Sequence, residues 1–412
     1  MASSPKFKVR TITAFCPCTQ KTLTDSEAWA TYIRDALAHL QQIQQRLGDI
    51  GLEVQTIRVS TNILTDLLET MGPDIVDKAV ELEKIAQQEG LQFLNLGTLR
   101  DRECICRPGM LSDLVSSLEV TSMSVDFGEG WGTPEALHLA REILAMERKR
   151  PGCTFRFGVS VNCKPTIPYF PASYSGPDGT SFALGLENSA LLHQAYSTAH
   201  ERSHSSSTCP LTLLQEEVES VFFTACQPIE KICMSWADEH GWEYKGIDAS
   251  IAPDLRGPEH NLEECLKFPF GNQRPWGPGT PATIDAITKA LKSLNVLTTG
   301  YCGVMLPVLE NESLAHAASR GDLDIQKLLL YAGLCGIGLD TVPVPGVSDD
   351  GSSALSQQIQ EQIAGYVLDI RAISNRQTKP LSVRLLPVIG AKPSDQTTFT
   401  SPYLINGSVM EL

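Results

Sequence analysis

Gly300-Tyr-Cys-Gly-Val-Met-Leu-Pro-Val-Leu-Glu310 and, one amphipathic helix later, Leu334-Cys-Gly-Ile-Gly-Leu-Asp-Thr-Val-Pro-Val-Pro345 are the two runs on which the reading of this chain turns. Both are apolar at successive positions rather than alternate ones. That is the pattern of a strand covered on both faces, as in a parallel sheet with helices outside it. Cys302, Cys335 and Asp340 sit in or beside these runs. Polar side chains near the ends of such strands usually face a cleft, so the stretch Asn295 to Pro345 points to a site without naming a reaction.

Outward from there, strand-like and helical patterns alternate along the whole chain. Strands are expected over Val9 to Phe15, Glu53 to Ser60, Phe93 to Thr98, Val120 to Phe127 and Phe155 to Cys163. Helical periodicity fills Glu27 to Leu47, Ile63 to Gln88, Leu111 to Leu118 and Pro134 to Arg148. A Pro/Gly/Ser/Tyr-rich loop, Lys164 to Thr180, marks the middle. Five more strands are expected at Ser181 to Glu187, Tyr244 to Ala252, Asn295 to Leu309, Gly338 to Val344 and Ser382 to Val388, with helices between them. Ten strands alternating with helices imply an α/β fold with a mainly parallel sheet. The reading is one domain over 1–412, with halves of about 1–163 and 181–390 and a Thr/Ser/Pro-rich C-terminal arm over 391–412.

The formal net charge of −15 argues against nucleic acid or an anionic membrane as partner, because both need Lys and Arg to neutralise phosphates. It leaves a small anionic substrate open, since the charge of one site is independent of the total. The first residues, Met1-Ala-Ser-Ser-Pro-Lys-Phe-Lys8, lack the apolar core of a secretory signal, and no apolar run has the ~18 residues of a membrane span. The expectation is a cytoplasmic chain whose 12 cysteines are reduced.

Several positions could carry chemistry. Asp248 lies in an apolar run and Asp254 just beyond it, in Gly246-Ile-Asp-Ala-Ser-Ile-Ala-Pro-Asp254. A carboxylate in an apolar wall must be bonded, paired or poised for proton transfer, as an acid/base residue or half of a metal site. Asp126, Asn162, Glu187 and Asp340 also fall at strand ends. Gly128, Gly130 and Gly132 with Thr133, and Gly277 and Gly279 with Thr280, form two glycine loops opening helices, with Thr as N-cap and Pro next. Free amides at a helix N-terminus favour phosphate or carboxylate, so both loops are candidate anion cradles or simply well-capped turns. Neither matches a nucleotide-binding fingerprint, so no nucleotide cofactor is expected, while a divalent metal is compatible. Cys302 and Cys335 are candidate thiols, either reactive or buried and inert. Arg58 and Arg384 lie in apolar strands, where a guanidinium needs a carboxylate from the protein or from a substrate.

Val9-Arg-Thr-Ile-Thr13, Ile57-Arg-Val-Ser-Thr-Asn62, Gly246-Ile-Asp-Ala-Ser-Ile-Ala-Pro253, Cys335-Gly-Ile-Gly-Leu-Asp-Thr-Val-Pro343 and Val383-Arg-Leu-Leu-Pro387, with Gly390 and Asp395, resemble one family in order along nearly the whole chain. It is the family called "domain of unknown function 711" (UPF0210-like). The resemblance implies a fold similar to pyruvate formate-lyase and other glycyl-radical enzymes, a ten-stranded α/β barrel of two five-stranded parallel halves. It adds Ser60 and Asn62 to the substrate-facing set. Val383-Arg-Leu-Leu-Pro-Val-Ile-Gly390 lacks the tyrosine and spacing of a radical-glycine segment, so the fold does not bring that chemistry with it. The expected function is a lyase or isomerase acting on a small carboxylate- or phosphate-bearing metabolite inside the barrel. Asp248 or Asp340 would be acid/base, Cys302 or Cys335 nucleophile, and the glycine loops with Arg58 or Arg384 the anion grip. The alternative is a non-catalytic metabolite sensor with the same cradle. A homodimer is compatible with either.

Overall fold

Nine strands form one mixed sheet in the computed structural model, which describes residues 7–268, 275–348 and 353–412, apart from the side chains at positions 68, 70, 73 and 104. They are β1 (Lys8–Phe15), β2 (Ile57–Ser60), β3 (Leu94–Leu99), β4 (Thr121–Asp126), β5 (Phe157–Val161), β6 (Ser181–Glu187), β7 (Glu243–Asp248), β8 (Gly338–Gly346) and β9 (Leu381–Ile389). Their order is β7-β6-β1-β2-β3-β4-β5-β9-β8. β1 to β5 are mutually parallel, as are β6 with β7 and β8 with β9. The two sets meet antiparallel at β1/β6 and β5/β9. The α/β class therefore stands, and the described sheet has nine strands rather than ten, five parallel ones in its middle and a parallel pair at each edge.

Sequence parity explains which face does what. Phe182, Leu184 and Leu186 of β6, and Phe157, Val159 and Val161 of β5, join the main core with helical residues such as Trp29, Phe222 and Trp236. The opposite parity carries Gly185 and Gly158, because side chains alternate across a strand. Against that second face lies the mid-chain loop. A Cβ at Gly185 would meet the Tyr169 ring at 2.6 Å, so glycine is what lets the ring lie on the strand. Thr13 Oγ1 donates to Pro168 O at 2.8 Å, Asn95 Nδ2 to Pro171 O at 2.9 Å and Tyr169 Oη to Leu186 O at 2.7 Å. Cys163, Ile167, Tyr169, Ala172, Ala252, Tyr301, Met305 and Ile337 make a second apolar cluster there. The loop is a packed plug on the sheet, not a surface hinge.

The expected strand over Asn295 to Leu309 is not continuous. It makes isolated parallel bridges, Ile247 with Thr298 and Ile251 with Val304 beside β7, and Pro307 with Asp340 of β8. Gly300 (φ 72) and Cys302 (φ 45) lie in the left-handed region, which interrupts any extended run. The reason is local: the chain turns inward at Tyr301 and Cys302 to donate both amides to Asp248. The C-terminal arm returns over this region, with Ile405 N donating to Leu309 O and Met410 N to Pro343 O.

At the two glycine loops the helices are Thr133–Lys149 and Thr280–Lys292, so glycine (Gly132, Gly279) rather than threonine holds the cap position and each helix begins one residue earlier than expected. Eleven cysteines among the described side chains are free, and no helix among the described residues is long and apolar enough to cross a membrane.

Candidate functional site

Because the two halves run antiparallel, the C-terminal ends of β1 to β5 and those of β6 to β9 lie at opposite ends of the sheet. Strand-end residues that look equivalent in the sequence are thereby separated. At the first end, Asn62 Oδ1 accepts from Cys18 N at 3.1 Å, and Ser60 is fully buried with its Oγ unbonded. Asp126 pairs with Arg100 at 3.2 Å, and its carboxyl is held above the usual range by burial, against the pull of Arg100. Asn162 bonds Ser374 and Asn375. Gly130 and Gly132 open their helix nearby in sequence, but the Gly132 amide is already taken by Glu135 Oε2 at 2.7 Å. At the other glycine loop, Gly279 O accepts from Thr283 N at 3.0 Å and Thr280 is buried.

Asp248 is fully buried and its two oxygens accept four bonds, from Ser250 N (3.0 Å), Ser250 Oγ (2.6 Å), Tyr301 N (2.8 Å) and Cys302 N (3.1 Å). Burial raises its carboxyl pKa, and these four donors pull it back. The Cys302 thiol is pushed far up by burial and by Asp248, and it points to Thr299 O at 3.3 Å. The Cys335 thiol is raised to about 11 by burial, although Lys379 opposes this. Thiols so raised are protonated near neutrality. Asp340 Oδ1 is 2.6 Å from Arg384 Nε. None of these four side chains lines the two cavities described below.

The end marked by the C-termini of β6 to β9 is chemically denser. A chain of contacts crosses it. Gln55 Nε2 donates to Glu187 Oε2 at 2.9 Å, and Arg10 Nη1 lies 3.6 Å from the same oxygen. Arg10 Nη2 donates to Glu310 Oε2 at 2.9 Å. Arg384 Nη2 reaches Glu310 Oε1 and Asp340 Oδ1, each at 2.6 Å. Burial pulls the Arg384 guanidinium down, but Asp340 and Glu310 outweigh it and hold it well above its ordinary value. Arg384 is thus the ion-paired arginine that its apolar strand demanded.

Arg58 is different. Its Nε donates to Thr56 Oγ1 at 3.0 Å, and its guanidinium lies 5.0 Å from the Phe93 ring centre and 5.2 Å from that of Phe170. Among the described residues no carboxylate pairs with it. Burial, and then Arg10, pull it down to about 9. Arginine keeps its proton in proteins, so the downward shift marks a cation whose opposing charge from Glu310 does not offset its burial and Arg10.

At the same end, Glu187, Asp254 and His260 each place a carboxylate oxygen or ring nitrogen so that all three lie within 4.8 Å of one another. Glu187 ends β6 and is nearly fully buried. Its carboxyl is raised by burial and by the Asp254 charge, against the Gln55 bond. Asp254 follows β7 and accepts from Leu255 N at 2.6 Å. His260 ends a short 3-10 turn, Pro258–His260, and its Nδ1 is 2.5 Å from Ser189 Oγ. Glu187 and His260 line a cavity of about 600 Å³ with Lys8, His193 and Glu259, while Asp254 lines a second of about 360 Å³ with Arg256 and Ser401.

Arg10, Glu310 and His260 were not singled out from the sequence. Arg10 lies in β1, paired with the β2 strand that carries Arg58, and a second arginine on the neighbouring strand is the available signal. His260 sits in an irregular loop with no periodicity to mark it.

The family described as "Uncharacterised ACR (DUF711)" matches residues 1–401. A UPF0210 protein of Pyrobaculum arsenaticum is 25% identical over 392 residues, covering 88% of this chain and 81% of its own. UPF0210 proteins of Desulfovibrio desulfuricans and Syntrophobacter fumaroxidans are each 26% identical, covering 89% and 85% of this chain and 82% and 77% of theirs.

Proposed function

We propose that this chain, which belongs to the DUF711 family, binds a small carboxylate- or phosphate-bearing metabolite at the end of the sheet where Arg58 and Arg10 stand. The observation that carries this reading is Arg58, a half-buried guanidinium between two aromatic rings with no carboxylate partner among the described residues. A planar guanidinium takes a carboxylate or phosphate bidentately, and the aromatic walls exclude the water that would compete. In the same reading residues 297–307, bridged to β7 on one side and β8 on the other, close the sheet into a ten-stranded barrel similar to that of pyruvate formate-lyase, and Arg58 stands at its mouth in a cytoplasmic protein. That likeness carries no reaction.

Binding without turnover is supported by the internal bonding of Asp248 and the high pKa values of Cys302 and Cys335. A second reading, a lyase or isomerase, is favoured by one observation: His260 and Glu187 share a cavity wall and would supply the acid/base pair. The test is thermal melting of the purified chain with small carboxylates and phosphorylated metabolites, since a ligand of the native state raises Tm. At least one such anion should raise Tm in the wild type and not in Arg58→Met. A panel in which no anion acts, or acts equally on both proteins, would overturn the proposal.

A further inference from the structure

We propose that Glu187, Asp254 and His260 form a binding site for a single divalent first-row transition-metal ion, Mn²⁺ or Zn²⁺, beside the anion grip. It deepens the anion reading, because the open positions of such an ion would face the ligand, but its geometry stands without that reading. The three residues come from the end of β6, the segment after β7 and a short turn, and their ligand-type atoms already lie within 4.8 Å of one another. Metal–ligand bonds of ~2.1 Å put ligand atoms roughly 3–3.5 Å apart, so side-chain rotation of an ångström or so completes the set.

Two further features point to a ligand. Glu187 is 97% buried by side chain, yet only its Oε2 is engaged, by Gln55 and Arg10. Its Oε1 accepts nothing among the described residues. Beside it, Asp254 brings a second carboxylate that disfavours the Glu187 charge, an arrangement a cation relieves. Ser189 Oγ at 2.5 Å from His260 Nδ1 fixes the ring and leaves Nε2 to ligate, as partners of metal-bound imidazoles do. The competitor for Nε2 is Glu259 Oε1 at 3.7 Å, longer than a hydrogen bond. One imidazole with two carboxylates suits Mn²⁺ or Zn²⁺ better than Ca²⁺ or Mg²⁺, which prefer oxygen alone. Cavities on either side give an ion a path in and leave room for water or substrate oxygen on its remaining positions.

The experiment is titration of the EDTA-stripped full chain, Mn²⁺ followed by electron paramagnetic resonance and Zn²⁺ by calorimetry. The wild type should take up a single ion, with a nitrogen coupling on the Mn²⁺ signal. Asp254→Asn and His260→Gln, both at partly exposed positions, should each weaken uptake at least about tenfold, and the histidine variant should lose the nitrogen coupling. Asp126→Asn, at the opposite end, should bind as the wild type does. Arg58→Met should bind the ion normally while losing the anion, which separates failure of this site from failure of the anion grip. No ion uptake by the wild type, or uptake unchanged in both ligand variants, would overturn the proposal.

Discussion

Arg58 and Arg384 both sit in apolar strands, with three strands between them in the sheet, and their surroundings give them opposite roles. Arg384 holds Glu310 and Asp340 together in a buried network. Removing the cation there strands the buried Asp340 and leaves Glu310 with Arg10 alone, so Arg384→Met is expected to cost about 3–5 kcal/mol in urea unfolding. Arg58→Met removes a cation with no carboxylate partner among the described residues, so it should leave stability unchanged or raise it. Asp248 is a structural carboxylate by the same logic. Asp248→Asn would set a side-chain N–H₂ against the inward-pointing amides of Tyr301 or Cys302, with an expected loss of about 2–3 kcal/mol. Its folded pKa is raised, chiefly by burial, so the folded chain binds the proton more tightly than the unfolded one. The stability linked to that proton is full below the unfolded value of ~4 and is lost as pH rises through the folded value. Unfolding measured across pH should show this fall in the wild type and a flatter profile in Asp248→Asn.

Among the elements, the mid-chain loop and the interrupted 297–307 segment decide how the interior is filled. Tyr169 covers Gly185 and bonds Leu186 O. Tyr169→Ala should open a cavity and lower stability by about 3–5 kcal/mol, read as a drop in Tm. At Gly300 a Cβ would collide with the Asp248 carboxylate in a left-handed backbone, so Gly300→Ala should destabilise more than a typical surface change. The strands were legible in the sequence because their apolar runs are long and bounded by helices, and Ser181–Glu187 matches its expected limits. The loop's packing was not legible. Its Pro, Gly, Ser and Tyr composition reads as solvent-exposed turn, and only the small residues at Gly158 and Gly185 on the facing strands encode the plug. The segment from Asn295 looked like a strand because its residues are apolar. What breaks it is a set of amide bonds to Asp248, fifty residues away, which no local pattern carries.

At the scale of the molecule, a chain of net charge −15 gathers Arg10, Arg58 and Arg384 at one end of its sheet. The antiparallel meeting of the two halves does this, and it also explains why the candidate site was only half legible. Glu187, Asp254, Arg58 and Arg384 belong to one end, while Asp126, Asn162, Ser60 and Asn62 belong to the other. Strand ends, apolar strand runs and the family resemblance between them select these eight, and only the relative direction of the halves sorts them. In the proposed reading, function depends on an anion binding at the Arg58 end. The most direct measurement is calorimetric titration of inorganic phosphate and of a small dicarboxylate into the wild type and Arg58→Met. Binding of at least one of them to the wild type, weakened about tenfold or more in the variant, is the expected result and corresponds to the loss of one charge-assisted contact. Equal heats from both proteins, or none from either, would contradict it.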